Sequence, residues 1–137
     1  MDLQNLAYAL VQVIHNFGAT AVTGGAVFAL WPGKQTQEIQ MRLAWLVMAG
    51  WAMQGASGAG FGAISFYYYG KPPDIHGIAI AALVIKMSCA VLGFAGAVSY
   101  ILKSVSWSDQ KRNRAWRMLT GIAAIALSAA AFLRWFS

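Results

Sequence analysis

Residues 75–102, IHGIAIAALVIKMSCAVLGFAGAVSYIL, form a long segment that is almost without charge. Lys86 is its single Lys, Arg, Asp or Glu, and the other side chains are mostly apolar or small. A transmembrane helix needs about 20 consecutive, mostly apolar residues, and this run is longer than that. The stretch therefore predicts a helix that crosses a lipid bilayer.

Three further apolar stretches cover about 3–31, 43–69 and 116–136, and short polar segments join them. Together the four stretches use most of the 137 residues, so we expect one domain, 1–137. Only 10% of the residues are charged, against about 25% in an ordinary soluble domain. This composition excludes a soluble enzyme, a disordered chain and a disulfide scaffold. The predicted fold class is all-α, a polytopic membrane protein with a bundle of four transmembrane helices.

The formal net charge of +6 is unevenly placed along the chain. Lys34 and Arg42 flank the first connecting segment. The third segment and its edges carry Lys103, Lys111, Arg112, Arg114 and Arg117. Cytoplasmic loops of membrane proteins carry an excess of Lys and Arg. We therefore expect a multi-pass protein of a bacterial inner membrane with both termini outside, in the periplasm. The positive charge is interpreted as a topology signal rather than a nucleic-acid site, and the third loop is also a candidate for contact with anionic lipid.

Lys86 is the one charged residue that this topology does not explain. A Lys at the centre of a spanning helix costs about 2.5–3.5 kcal/mol on insertion scales. Its distance to the outer helix end is about 15 Å at 1.5 Å per residue, too far for the side chain to reach water alone. No acidic residue lies inside the four apolar stretches. We therefore expect Lys86 to be neutral, or to face a polar cavity or an anionic ligand.

His15 is expected at the depth of Lys86. The first and third helices run in the same direction, and both residues lie about 11 or 12 residues from the outer helix end. A neutral His is a good axial ligand for haem iron, and the alternative is a hydrogen-bonded core His. His15 also belongs to a polar stripe that is expected to face the bundle interior, made with Tyr8, Gln12, Asn16 and Thr23.

Several other residues have two interpretations. His76 is either an interfacial residue or a second, shallower ligand. Arg42 is either a cytoplasmic anchor or a clamp for a carboxylate such as a haem propionate. Asp74 is expected to cap the third helix. Gly58 and Gly62 form a GxxxG pair that is expected to pack against a neighbouring helix, or else to form a trough for a flat cofactor.

Short motifs in the first three helices resemble those of known membrane proteins. Ile14-His15, followed after eight residues by Gly24-Gly25, resembles the first helix of the copper-resistance D (CopD-type) domain. Arg42-Leu43 and Ile85-Lys86-Met87 resemble further elements of that superfamily, and the HemJ-type membrane protoporphyrinogen oxidases share the same plan. The resemblance implies a haem b site with His15 as axial ligand, Lys86 as ligand or close neighbour, and Arg42 as the family's Arg.

The leading prediction is a small membrane protein that binds one haem b and transfers electrons to or from quinone or a periplasmic redox partner. His15 would ligate the iron, Lys86 or His76 is the possible second ligand, and the haem would rest on small residues that include Gly18 and Gly25. Three alternatives stay open. They are a HemJ-like porphyrin oxidase, a copper-handling protein that uses His and Met residues such as Met53, and a cofactor-free subunit of a larger respiratory complex in the membrane.

Overall fold

A computed structural model describes residues 2–31, 33 and 35–137. Within them the chain forms four α-helices and one short 3-10 turn, Ser104–Ser106, just before the fourth. The helices are α1 (Leu3–Phe28), α2 (Gln37–Tyr69), α3 (Ile78–Lys103) and α4 (Asp109–Phe136). The predicted all-α class with four helices is confirmed. Two segments of the described chain, Ile78–Ser106 and Asp109–Phe136, are long and apolar enough to cross a membrane.

Two helices begin earlier than the apolar stretches predict. α2 begins at Gln37 rather than near 43, and α4 begins at Asp109 rather than near 116. The hydroxyl oxygens of Thr36 and Ser108 each accept a backbone N–H of the first turn at 3.3 Å. Such caps set where a helix starts, whereas an apolar run marks only its membrane-facing part. Each helix therefore extends by one to two polar turns.

The predicted Asp74 cap of α3 is wrong. The N-cap is Gly77, with φ of 52°, and no side chain caps the helix. This left-handed region favours glycine. The Asp74 carboxylate instead lies 3.5 Å from His76 Nε2. The chain from Pro72 onward is still irregular at Asp74, so that carboxylate is three residues short of the capping position.

The four helices form an antiparallel bundle. α1 packs mainly on α2, α3 packs mainly on α4, and the α2–α3 and α1–α4 contacts close the ring, so α1 and α3 lie on a diagonal. We call the half with both termini and residues 70–77 the outer half. The other half, which carries the first and third connections, is the inner half.

The inner half contains the packed core. Trp116, Tyr100 and Gln40 are among the largest fully buried side chains. The Tyr100 hydroxyl donates to Gln40 Oε1 at 2.8 Å, and its ring centroid lies 5.1 Å from that of Trp116. The Thr120 hydroxyl donates to the carbonyl of Ala26 at 3.2 Å, which ties α4 to α1. The core therefore joins all four helices at this end.

Glycines allow the helices to approach closely next to this core. A Cβ at Gly25 would lie 2.8 Å from the Val47 side chain, and one at Gly18 would lie 3.0 Å from the Gly50 carbonyl oxygen. Gly93 lies directly against the Trp51 ring. Small residues permit such contacts where no hydrophobic force brings helices together in lipid.

The outer half is much more open. α1 buries no residue before Gly18. A Cβ built at Gly55, Gly58 or Gly62 meets nothing within 4 Å. The prediction that Gly58 and Gly62 pack against a neighbouring helix is therefore wrong within this chain. These two glycines lie on an open surface of α2.

Candidate functional site

His15 and Lys86 meet across the diagonal of the bundle. Lys86 Nζ lies 2.8 Å from His15 Nε2, and both side chains are half-buried. The contact joins α1 to α3 within the outer half. The prediction that the two residues share one depth is confirmed.

Ser57 on α2 fixes the protonation pattern of the imidazole. Its Oγ lies 2.7 Å from His15 Nδ1 and donates its proton to the carbonyl of Met53 at 2.6 Å. A hydroxyl has one proton, so Oγ can only accept from Nδ1–H. With the proton assigned to Nδ1 in this way, His15 Nε2 keeps its lone pair, which accepts a hydrogen bond from Lys86. The three side chains thus form one continuous chain of hydrogen bonds.

Other α2 residues hold the imidazole in place. Gln54 Nε2 donates to the backbone carbonyl of His15 at 2.5 Å. The Phe61 ring stands edge-on to the imidazole with centroids 5.8 Å apart, and Tyr8 stacks on Phe61 at 6.3 Å. α2 therefore contacts both the ring and the backbone carbonyl of His15.

No carboxylate accompanies this pair. The four acidic residues of the chain are Asp2, Glu38, Asp74 and Asp109, and each lies at a helix end or between helices. The pair can therefore hold a proton between two nitrogen bases. It can also present N–H donors to an anionic or carbonyl group that enters from the open side of the outer half.

Arg42 and His76 do not join the site. The Arg42 guanidinium is largely exposed and lies 2.6 Å from the Glu38 carboxylate. Along α2, Arg42 is also about 22 Å away from Ser57, at a rise of 1.5 Å per residue. His76 is exposed beside Asp74, ahead of α3. The structure therefore gives neither residue a contact with the imidazole of His15.

Gly18 and Gly25 offer no space for a haem. Both are buried, and both face α2 at contact distance. The prediction that Gly18 and Gly25 line a haem site is therefore wrong. These glycines pack α1 against α2. On α2, Gly58 directly follows Ser57 and is exposed, and a Cβ built there meets nothing within 4 Å.

Part of the predicted interior stripe on α1 faces outward. Gln12 and Asn16 are exposed, and Gln12 Nε2 donates to Asn16 Oδ1 at 2.7 Å. The Thr20 hydroxyl adds a bond to the Asn16 carbonyl at 3.0 Å. The expectation of an inward position is wrong for Gln12 and Asn16, because amides four residues apart partly satisfy each other without a partner helix.

Sequence reasoning missed Ser57, which the structure places at the centre of the site. Ser57 is 4% exposed, whereas the similar helical Ser88 is exposed and bonds only to the Val84 carbonyl. Both residues make the ordinary bond of a helical Ser to the carbonyl four positions earlier. The sequence therefore contains no signal that separates them.

Multi-ligand metal sites of the usual kind are not found in the described part of the chain. It contains no group of three or more His, Cys, Asp or Glu side chains that could hold a metal ion. Cys89 is a single buried thiol. Haem needs only one or two protein ligands, so His15 is the residue to consider for iron.

Three comparisons with known proteins found no relative of this chain. No family model matches the chain, and no significant match to a curated protein or to a solved structure was found. The resemblance to the CopD-type and HemJ-type groups therefore stays a hypothesis based on short motifs. Function has to be argued from the site itself.

Proposed function

We propose that this chain is a four-span membrane protein in which His15 is the axial ligand of a haem b. The observation that supports this proposal most directly is the hydrogen bond between Ser57 and His15 Nδ1, which leaves the lone pair on Nε2. Metal-ligating imidazoles are typically oriented in this way, by a hydrogen bond from the nitrogen that does not bind metal. Haem supplies one-electron redox chemistry, with a quinone or a periplasmic redox protein as the proposed partner.

The four-span topology rests on helix length and charge. α1 and α2 have 26 and 33 residues, enough to cross a hydrocarbon core of about 30 Å at 1.5 Å per residue. The inner half carries Lys103, Lys111, Arg114 and Arg117 at its surface. This excess of basic residues supports a cytoplasmic inner end, periplasmic termini and an inner-membrane location.

In this proposal Lys86 is a neighbour of the iron ligand and not a second ligand. Lys86 Nζ and His15 Nε2 are 2.8 Å apart, in direct hydrogen-bond contact. Lys86 would have to leave this contact for His15 Nε2 to hold an iron. Its flexible four-carbon stem can move without a shift of α3.

Three glycines leave part of the α2 surface in the outer half without side chains. A Cβ built at Gly55, Gly58 or Gly62 would have no contacts, and Gly58 directly follows Ser57. The Phe61 ring already stands beside the imidazole. A porphyrin against this surface would contact backbone and an aromatic ring instead of long side chains.

The test is the absorbance spectrum of freshly isolated protein. We expect a Soret band in the wild type, its loss in His15→Ala, and its retention in His76→Ala, because His76 lies outside the site. Lys86→Met should retain the band, because it frees Nε2. A wild-type protein without a Soret band, even after addition of haemin, would refute the proposal. Full haem retention in His15→Ala would refute the assigned ligand.

The direct contact of two nitrogen bases favours a second candidate, an enzyme that oxidises a porphyrin precursor. Oxidation of a porphyrinogen would pass its electrons to an acceptor such as the proposed quinone and release protons, and the Lys86–His15 pair would receive those protons. The measurement is complementation of a bacterial strain that lacks protoporphyrinogen oxidase. Lys86→Met should fail to complement, whereas the exposed control Lys103→Met should complement. Failure of the wild-type chain to complement would exclude this candidate.

A further inference from the structure

Two adjoining cavities lie where α4 begins, at the inner end and away from the His15 site. One, of about 360 Å³, is lined by Gln110, Asn113, Arg114 and Arg117. The other, of about 300 Å³, is lined by Asn113 and Arg117 together with Ala29 and Leu30. Asn113 and Arg117 line both, so the two cavities form one continuous site.

The polar wall belongs to one face of α4. Gln110, Asn113, Arg114 and Arg117 follow the i, i+3, i+4, i+7 spacing that places helix residues on one side. No acidic residue is among those that line either cavity. The wall therefore consists of two guanidinium groups and two side-chain amides, and each guanidinium has five N–H donors in a planar fork. This set of donors matches the oxygen atoms of a phosphate.

Arg114 and Arg117 differ from two other arginines at this end. Arg112 donates to the Asp109 carboxylate and, at 2.6 Å, to the carbonyl of Trp107. Arg42 is paired with the Glu38 carboxylate. Neither Arg114 nor Arg117 forms an ion pair with a described residue. A general excess of positive charge accounts for the number of basic residues at the inner end. It does not by itself place the guanidiniums of Arg114 and Arg117 in the wall of one cavity.

The remaining wall is apolar. Ala29 and Leu30, at the end of α1, line the second cavity beside Arg117. The ligand should therefore have an anionic end near the guanidiniums and an apolar part near α1. α4 is one of the helices apolar enough to cross a membrane. In the proposed four-span topology, on which this inference rests, its first turns would lie near the level of lipid headgroups.

We propose that this site, formed by Arg114, Arg117, Asn113, Gln110, Ala29 and Leu30, binds the phosphate of an anionic membrane lipid. The two guanidiniums hold the phosphate oxygens, and the amides of Asn113 and Gln110 donate to the same group. The upper part of an acyl chain lies against Ala29 and Leu30. The site is independent of any cofactor at His15, so either proposal can fail alone.

The first experiment compares two double variants that remove the same charge from the same end. Full-length protein in detergent is titrated with phosphatidylglycerol, phosphatidylcholine or inorganic phosphate, and bound lipid is counted by native mass spectrometry. R114Q/R117Q should weaken phosphatidylglycerol binding at least about tenfold, because two charge-assisted contacts are lost. K103Q/K111Q should keep binding within about twofold. Equal losses in both variants would overturn the proposal in favour of general surface charge.

A charge-conserving variant separates the effect of geometry from the effect of charge. It also keeps the proposal testable if R114Q/R117Q does not fold. R114K/R117K keeps both positive charges but loses the planar fork, so phosphatidylglycerol binding should fall several-fold. Circular dichroism checks that each variant is as helical as the wild type. Unchanged binding in R114K/R117K would overturn the built site. Binding of inorganic phosphate as tight as that of phosphatidylglycerol would overturn the lipid assignment and indicate a soluble phosphate ligand.

Discussion

The inner and outer halves of this bundle use the same residue types in opposite ways. In the inner half, Gly93 lets the Trp51 ring lie against α3, and Tyr100 is fully buried with its hydroxyl bonded to Gln40. In the outer half, a Cβ built at Gly58 has nothing within 4 Å, and α1 buries no residue before Gly18. Close packing therefore holds the bundle together at one end. The other end is loosely covered and contains the half-buried His15–Lys86 pair.

The largest expected effect concerns the glycines of the two halves. Gly93→Ala should destabilise the protein by about 3 kcal/mol, because its Cβ would overlap a buried indole ring that cannot move freely. Gly58→Ala is the matched control. It should be neutral or stabilising by up to about 1 kcal/mol, because Ala favours a helix and the space is empty. Denaturant-induced unfolding in detergent measures both. Similar losses in the two variants would remove the contrast between the halves.

The second prediction sharpens the description of the inner core. Tyr100→Phe leaves Gln40 Oε1 without its donor in a fully buried position, which should cost about 1–3 kcal/mol. The control Tyr67→Phe removes a hydroxyl from a side chain that is 82% exposed, so unfolding should not change measurably. The same denaturant assay measures both variants. An unchanged Tyr100→Phe protein would show that the Gln40 amide finds another partner.

The smallest expected effect on stability lies in the outer half. Ser57→Ala removes the acceptor of His15 Nδ1–H and should cost about 0.5–1.5 kcal/mol. Its clearer consequence should be a mixed tautomer of the imidazole, visible in the ¹⁵N chemical shifts of His15. Ser88→Ala, which removes an exposed hydroxyl bonded to its own helix, should leave those shifts unchanged. A single, unaltered tautomer in Ser57→Ala would contradict the assigned hydrogen-bond chain.

The parts of the fold that were predicted correctly depend on local sequence. Apolar runs indicate helices, and the rise per residue along a helix fixes depth, so the match between His15 and Lys86 could be worked out before any packing was known. Hydropathy alone predicts the starts of α2 and α4 too late, because it does not detect the polar turns that Thr36 and Ser108 cap. The cap of α3 was misplaced because the irregular chain continues past Asp74 to Gly77.

The sequence alone determined the all-α class, the four helices and the unusual depth shared by His15 and Lys86. Tertiary structure alone decided that Ser57 is the partner of the imidazole, that Gly18 and Gly25 are closed, and that Gln12 and Asn16 face outward. The physical reason is the difference between height and rotation. Helix geometry sets the height of a side chain along its own axis. Its direction relative to neighbouring helices depends on how all four helices pack together.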